Sequence, residues 1–157
     1  MKLVIMSDTH FGNKFTVPKQ VIQEISSCDH IIHCGDFVSR EFYGFLNSFN
    51  KLKAVRGNND YKLTEILENE ILFSLCGLNF AVTHGHLTSA QNIHYRYCKS
   101  DVILYGHEHH PSVEYHENQL VLNPGSFTHN RYVGYNSFMT LTIDNDQKAV
   151  PKIIKIH

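Results

Sequence analysis

The stretch KLVIMSDTH, residues 2–10, decides how the chain is read. Lys2 to Met6 is a short aliphatic run, too brief for a helix, that stops abruptly at Ser7-Asp8-Thr9-His10. That is the pattern of a buried strand running into a polar turn. On extended backbone Asp8 and His10, two apart, project to the same side just where the strand ends. The construction recurs along the chain: HIIHC (30–34) before Gly35-Asp36, LKAV (52–55) before Arg56-Gly57-Asn58, LNFAVT (78–83) before His84-Gly85-His86, and DVILY (101–105) before Gly106-His107-Glu108-His109. Open α/β sheets gather ligand sites at the carboxyl ends of their strands, so these turns are expected to meet in one cleft with metal-dependent chemistry.

Outward from these runs, residues 17–27 have helical apolar spacing and Pro18 to open the helix. Residues 39–49 repeat the pattern, with Phe42, Phe45, Leu46 and Phe49 on one face and Ser39 as N-cap. Strand, helix, strand, helix, strand up to residue 55 predicts parallel pairing with right-handed crossovers. After Asp60 the rhythm changes. Residues 70–75 and 78–83 flank Cys76-Gly77 as a hairpin, 88–99 reads as a helix, and 101–105, 112–116, 119–122, 137–143 and 148–156 read as strands. The expected fold is α/β: a four-layer α/β-β/α sandwich with two facing mixed sheets, in a single domain over residues 1–157.

Composition narrows the function. The 157 residues are 42% hydrophobic and 18% charged with a net charge of −1, which argues against a broad electrostatic grip on nucleic acid. No extended nucleic-acid groove is expected. The N-terminus lacks the features of a signal peptide and no apolar run is long enough to span a bilayer, so the expectation is a cytoplasmic protein without a membrane partner. Cys28, Cys34, Cys76 and Cys98 form no C-x-x-C pair and are expected to be reduced packing residues. A homo-oligomer is compatible with the pattern.

Each polar turn has a plain structural use. Asp8 fits a turn or cap, Asp36 the cap of the next helix, and Gly57-Asn58-Asn59-Asp60 a tight Asn-rich turn. Two histidine pairs of the same spacing, His84/His86 and His107/His109, both directly after apolar strands, tip the set towards metal binding. Carboxylates with imidazoles suit Mn, Fe, Zn or Co better than Ca. His33 is ambiguous, being close in sequence to Asp36.

The order Asp-x-His, Gly-Asp, Gly-Asn, His, Gly-His-x-His resembles the calcineurin-like metallophosphoesterase superfamily, and within it the small YfcE-type phosphodiesterases, a likeness extended by Asn123-Pro124-Gly125-Ser126. The resemblance covers almost the whole chain. It implies two divalent transition-metal ions, Mn²⁺ first with Fe, Zn, Ni or Co as alternatives: Asp8, His10, Asp36 and His109 would hold one, and Asp36, Asn58, His84 and His107 the other, with Asp36 as bridge. Two such ions, two carboxylates and a hydroxide leave one net positive charge, which attracts a phosphoester. The expected reaction is in-line attack of the bridging hydroxide on a small phosphoester, most of all a phosphodiester, without a covalent intermediate. Many members follow the ligand Asn with an imidazole acid, whereas Asn59-Asp60 stands here. Asp60 and His86 are therefore the candidate acids, and Arg131 a candidate phosphate contact. The alternative reading is a protein-interaction scaffold on the same fold, as in the retromer coat subunit. In that subunit several ligand positions are replaced, whereas all seven are of the expected type here, which favours the enzyme.

Overall fold

A computed structural model describes residues 1–156. β1 (Lys2–Met6) lies at the centre of the first sheet, whose strand order is β10-β9-β1-β2-β3. It pairs in parallel with β2 (His30–His33), which pairs in parallel with β3 (Leu52–Ala54). On its other side the return strands β9 (Asn136–Ile143) and β10 (Ala149–Ile156) are antiparallel. The second sheet has the order β4-β5-β6-β8-β7, with β5 (Leu78–Thr83), β6 (Val102–Leu104) and β8 (Gln119–Asn123) parallel. β4 (Glu70–Leu75) and β7 (Ser112–His116) are its antiparallel edges.

Strand alternation divides the apolar residues among the layers. Leu3 and Ile5 face inward with Ile32, Met139 and Leu141 to meet Phe80, Val82, Val102, Leu104 and Leu122 of the other sheet. Val4, Met6 and Ile31 point outward, where Val21 and Ile25 of α1 (Lys19–Ser27) and Phe42 and Leu46 of α2 (Arg40–Asn47) cover them. On the far face Ala81, Ile103 and Val121 meet Ile93 and Tyr97 around α3 (Ile93–Arg96). The layers are therefore helix, sheet, sheet, helix, as the alternation predicts. Each fully buried Leu, Ile or Phe contributes about 1.5–3 kcal/mol, so both the seam between the sheets and the helix-covered outer faces contribute to stability.

Local signals set most boundaries. Ser39 Oγ accepts the Phe42 N–H at 3.2 Å and opens α2. The Cys76-Gly77 hairpin takes positive φ at both residues (53° and 79°), the combination a two-residue type I′ turn needs. Cys28 and Cys34 are buried and Cys76 and Cys98 exposed, all as free thiols, so the expectation of packing cysteines holds for the first two only. The expected helix over 88–99 is also shorter, a 3₁₀ turn at Ala90–Asn92 followed by the single turn of α3. Only Ile93 and Tyr97 of this segment are buried beneath it, and two anchors do not sustain three turns of helix.

His33 is fully buried and stacked on Phe37 at 3.5 Å between ring centroids. Its Nδ1 accepts the Gly35 N–H at 3.1 Å and Nε2 meets Thr9 Oγ1 at 3.2 Å, so it braces two turns of the site as a neutral ring. Burial pushes its pKa down to about 3. The unfolded chain therefore takes up a proton that the folded chain refuses between about pH 6.5 and 3. Stability is full above that window and falls as pH is lowered through it, by about 1.4 kcal/mol per pH unit from this residue. Chemical denaturation of the metal-free protein from pH 7 to 4.5 is expected to be less steeply pH-dependent in His33→Gln than in wild-type. Equal slopes would remove His33 from the account.

Candidate metal centre

The five polar turns lie together at the carboxyl ends of the parallel strands of both sheets. Asp8 follows β1, Asp36 follows β2, His84 follows β5, and His107 and His109 follow β6. Main-chain bonds lock the first two turns, with Asp8 N–H donating to Gly35 O and His10 N–H to Asp36 O, both at 3.0 Å. Asp8, His10, Asp36, His107 and His109 all have left-handed backbones (φ 42° to 71°), a conformation uncommon outside glycine. Such strain clusters at functional sites.

Asp8 Oδ1 stands 3.1 Å from His109 Nε2 and 3.8 Å from His10 Nε2, and those two nitrogens are 3.4 Å apart. A second set joins it: Asp36 Oδ2 is 3.5 Å from His84 Nε2 and 3.6 Å from His10 Nε2, and His84 Nε2 is 3.9 Å from Asp8 Oδ1. Donors about 2.1 Å from one tetrahedral ion stand about 3.4 Å from one another, so both groupings have the right size for a cation.

Protonation makes the same case. His84 Nδ1 donates to the Cys34 carbonyl at 2.7 Å and His109 Nδ1 to the His129 carbonyl. In the neutral ring each Nε2 is then a bare lone pair aimed at carboxylate oxygens. Asp8 Oδ1 and His84 Nε2 are both buried without a hydrogen-bond partner. With neutral rings these acceptors would face one another in a dry interior, a clash that a proton on Nε2 or a metal ion relieves, and the donor set is one that divalent transition metals prefer.

The charges are arranged accordingly. Burial pushes Asp8 and Asp36 up, but His109 and His84 beside Asp8, and His84 with the Asn59 donors beside Asp36, pull both below the ordinary carboxylate value. Burial pushes His84 and His109 down, yet the facing carboxylates raise both above the usual imidazole value. His10, His86 and His107 are lowered, mainly by burial.

The other expected residues are placed less uniformly. The His107 ring lies edge-on to His84 at 5.2 Å, and the His107 main-chain N–H donates to Asp8 Oδ2 at 3.0 Å. His86 is next to His84, 5.4 Å between centroids, and its buried Nδ1 has no partner. Asn58 is exposed on the neighbouring turn. Arg131 is exposed and forms no salt bridge among the described residues; with His10, His109, His129 and Asn130 it lines a cleft of about 470 Å³ against the histidines.

Asp60 departs from its expected role as an acid. It is 1% exposed, and its carboxylate is taken up by main-chain donors: Oδ2 by Asp36 N–H and Gly57 N–H at 2.8 Å, Oδ1 by Val38 N–H at 2.7 Å. Burial raises its pKa, with the backbone donors opposing. Buried and engaged by three main-chain donors, and not among the residues lining the cleft beside His10 and His109, it is poorly placed to hand over a proton, and geometry takes precedence over pKa in naming an acid. Its place is beneath Asp36, holding the turn that includes Val38 at φ 73°, a strained value for a β-branched residue.

Several contributors lacked a sequence signal for their roles. Asn59 grips Asp36, its N–H donating to Oδ1 at 2.9 Å and its Nδ2 to Oδ2 at 2.7 Å. Ser126 Oγ donates to the Asp8 carbonyl at 3.0 Å and accepts the His129 N–H at 2.9 Å, while Asn123 Nδ2 donates to the Gly106 carbonyl at 3.0 Å. The Asn-Pro-Gly-Ser turn thus ties the ligand turns of the two sheets together. Gly57 and Gly106 are needed for the close approach. A Cβ on Gly57 would meet Asp36 Oδ1 at 2.0 Å, and one on Gly106 would meet Ser7 Oγ at 1.9 Å.

A fold of two facing sheets with a cluster of His and Asp at the strand ends defines a class, the metal-dependent phosphoesterases. The chain belongs to the calcineurin-like phosphoesterase superfamily, whose domain matches residues 1–146. It is 33% identical to a probable metallophosphoesterase of Methanocaldococcus jannaschii over 99% of this chain and 82% of the relative. It is 34% identical to a phosphodiesterase of the same archaeon over 80% and 83% of the two chains. Among solved structures an archaeal phosphodiesterase is similar with a TM-score of 0.72 at 27% identity, over 98% of this chain and all of that one. Vps29 of Entamoeba histolytica, solved with Zn²⁺, has a TM-score of 0.77 at 19% identity over 99% of both chains, a likeness of fold.

Proposed function

We propose that the chain is a dinuclear metal-dependent phosphodiesterase acting on a small phosphoester in the cytoplasm. The observation that carries this reading is the buried Asp8 Oδ1, without a hydrogen bond and ringed by the Nε2 atoms of His109, His10 and His84. Asp8, His10, Asp36 and His109 would hold one ion, and Asp36, His84, His107 and Asn58 the other, the last by a rotation of its exposed side chain. Two divalent ions, Mn²⁺ being our first choice, would supply Lewis acidity and a hydroxide nucleophile at neutral pH. The residues do the rest. His84 and His109 are fixed in one tautomer by the Cys34 and His129 carbonyls, so their lone pairs are presented without reorganisation. Arg131, unpaired at the rim, is suited to a phosphate oxygen. With Asp60 committed to backbone donors, His86 is the remaining candidate to protonate a leaving group, and activated diesters that leave without a proton should be the best substrates.

The test is metal analysis with turnover. Protein stripped with chelator and reconstituted with Mn²⁺ is expected to carry two ions per chain and to hydrolyse an aryl phosphodiester, while chelated protein and Asp8→Ala should be inactive. If metal never rose above trace and wild-type matched Asp8→Ala, the scaffold reading would replace the enzyme.

A further inference from the structure

Resting on the dinuclear reading, we infer that Asn59 is a built-in competitor for the second ion, making the two metal positions unequal. Asp36 Oδ2 is the atom that faces the other ligands, 3.6 Å from His10 Nε2 and 3.5 Å from His84 Nε2. A carboxylate oxygen offers two in-plane lone pairs, and bridging two ions through it uses both. One is already taken, because Asn59 Nδ2–H donates to Oδ2 at 2.7 Å. The other carboxylate oxygen gives no freedom to turn away, since Oδ1 accepts the Asn59 N–H at 2.9 Å and lies beneath Gly57.

Asp8 is the opposite case. Its Oδ1 has no hydrogen bond to lose, and its Oδ2 is held by the His107 N–H at 3.0 Å, which leaves Oδ1 aimed at His10 and His109. An ion at Asp8, His10 and His109 can enter using the free lone pair of Asp36. The next ion has to break a hydrogen bond to a charged oxygen, among the stronger kinds of hydrogen bond. The amide comes from the same turn as Asn58, so the position that it opposes is the one shared with Asn58 and His84. Being neutral and without a titratable proton, Asn59 exerts this competition at any pH that leaves Asp36 ionised.

The experiment is calorimetric titration of chelator-stripped protein with Zn²⁺, comparing wild-type with Asn59→Ala and Asn59→Leu. Both variants keep the main-chain donor and remove the amide, and the second preserves bulk in the turn. Wild-type should bind two ions in separate steps, the second at least about tenfold weaker, and both variants should tighten the second step by about tenfold with the first unchanged. In wild-type protein the Asn59 side-chain amide, followed by nitrogen-15 NMR, should keep its hydrogen-bonded shift, perturbed only modestly, through the first equivalent of Zn²⁺ and lose it with the second. A second step unchanged or weakened in folded variants, or an amide fully released by the first equivalent, would overturn the inference while leaving a dinuclear site standing. Failure of wild-type to bind a second ion would instead remove the dinuclear reading and the inference with it.

Discussion

Asp36→Asn is expected to lower turnover of an aryl phosphodiester by at least about a hundredfold, the upper end of what losing a residue that merely orients a metal ligand costs. Asn keeps the shape of the side chain but removes the charge. It also places an NH₂ group opposite either the Asn59 N–H or the Asn59 Nδ2, the two donors that now hold the carboxylate. Metal analysis should find no more than one ion in the variant. Circular dichroism should be unchanged, because the core layers do not depend on this residue. A variant with two ions and near-normal turnover would show that Asp36 does not bridge.

The second large effect is expected at Asp60. Asp60→Asn replaces an acceptor for three main-chain donors with a group that can accept on one side only, so at least one of the Asp36, Val38 and Gly57 N–H groups is left facing an NH₂. A buried donor without a partner costs about 1–3 kcal/mol, and the lost charge adds to that. We expect a melting temperature lower by several degrees, weaker metal binding, and activity that falls alike for aryl and alkyl leaving groups. An acid would behave otherwise. If the variant kept the stability and metal affinity of wild-type and lost activity only against poor leaving groups, Asp60 would be restored as the proton donor.

These residues also mark how far the sequence could be read. The strands were legible because alternation and turn chemistry are local: Cys76-Gly77 between two apolar runs defines its hairpin, and Ser39 its helix start. The cluster was legible for a similar reason, since ligands placed directly after parallel strands are carried to one edge by topology. Non-local partners left no mark. Asp60 reads as a turn residue, and its role depends on main-chain N–H groups 22 and 24 residues earlier. Asn59 reads as the lack of an imidazole, whereas the fold turns it into a clamp on Asp36. The segment 88–99 had the spacing of a helix, but only the fold reveals that two of its side chains alone are buried.

The bond from Ser126 to the Asp8 carbonyl joins residues 118 apart. During synthesis at roughly 5–20 residues per second, Asp8 therefore emerges roughly 6–24 s before the residue that fastens its turn. Over that interval the nascent chain already exposes Asp8, His10 and Asp36 but has no seam in which to hold them. The turn that carries Asp8 is therefore fastened only once the chain has been made through Ser126, long after the residues it orients.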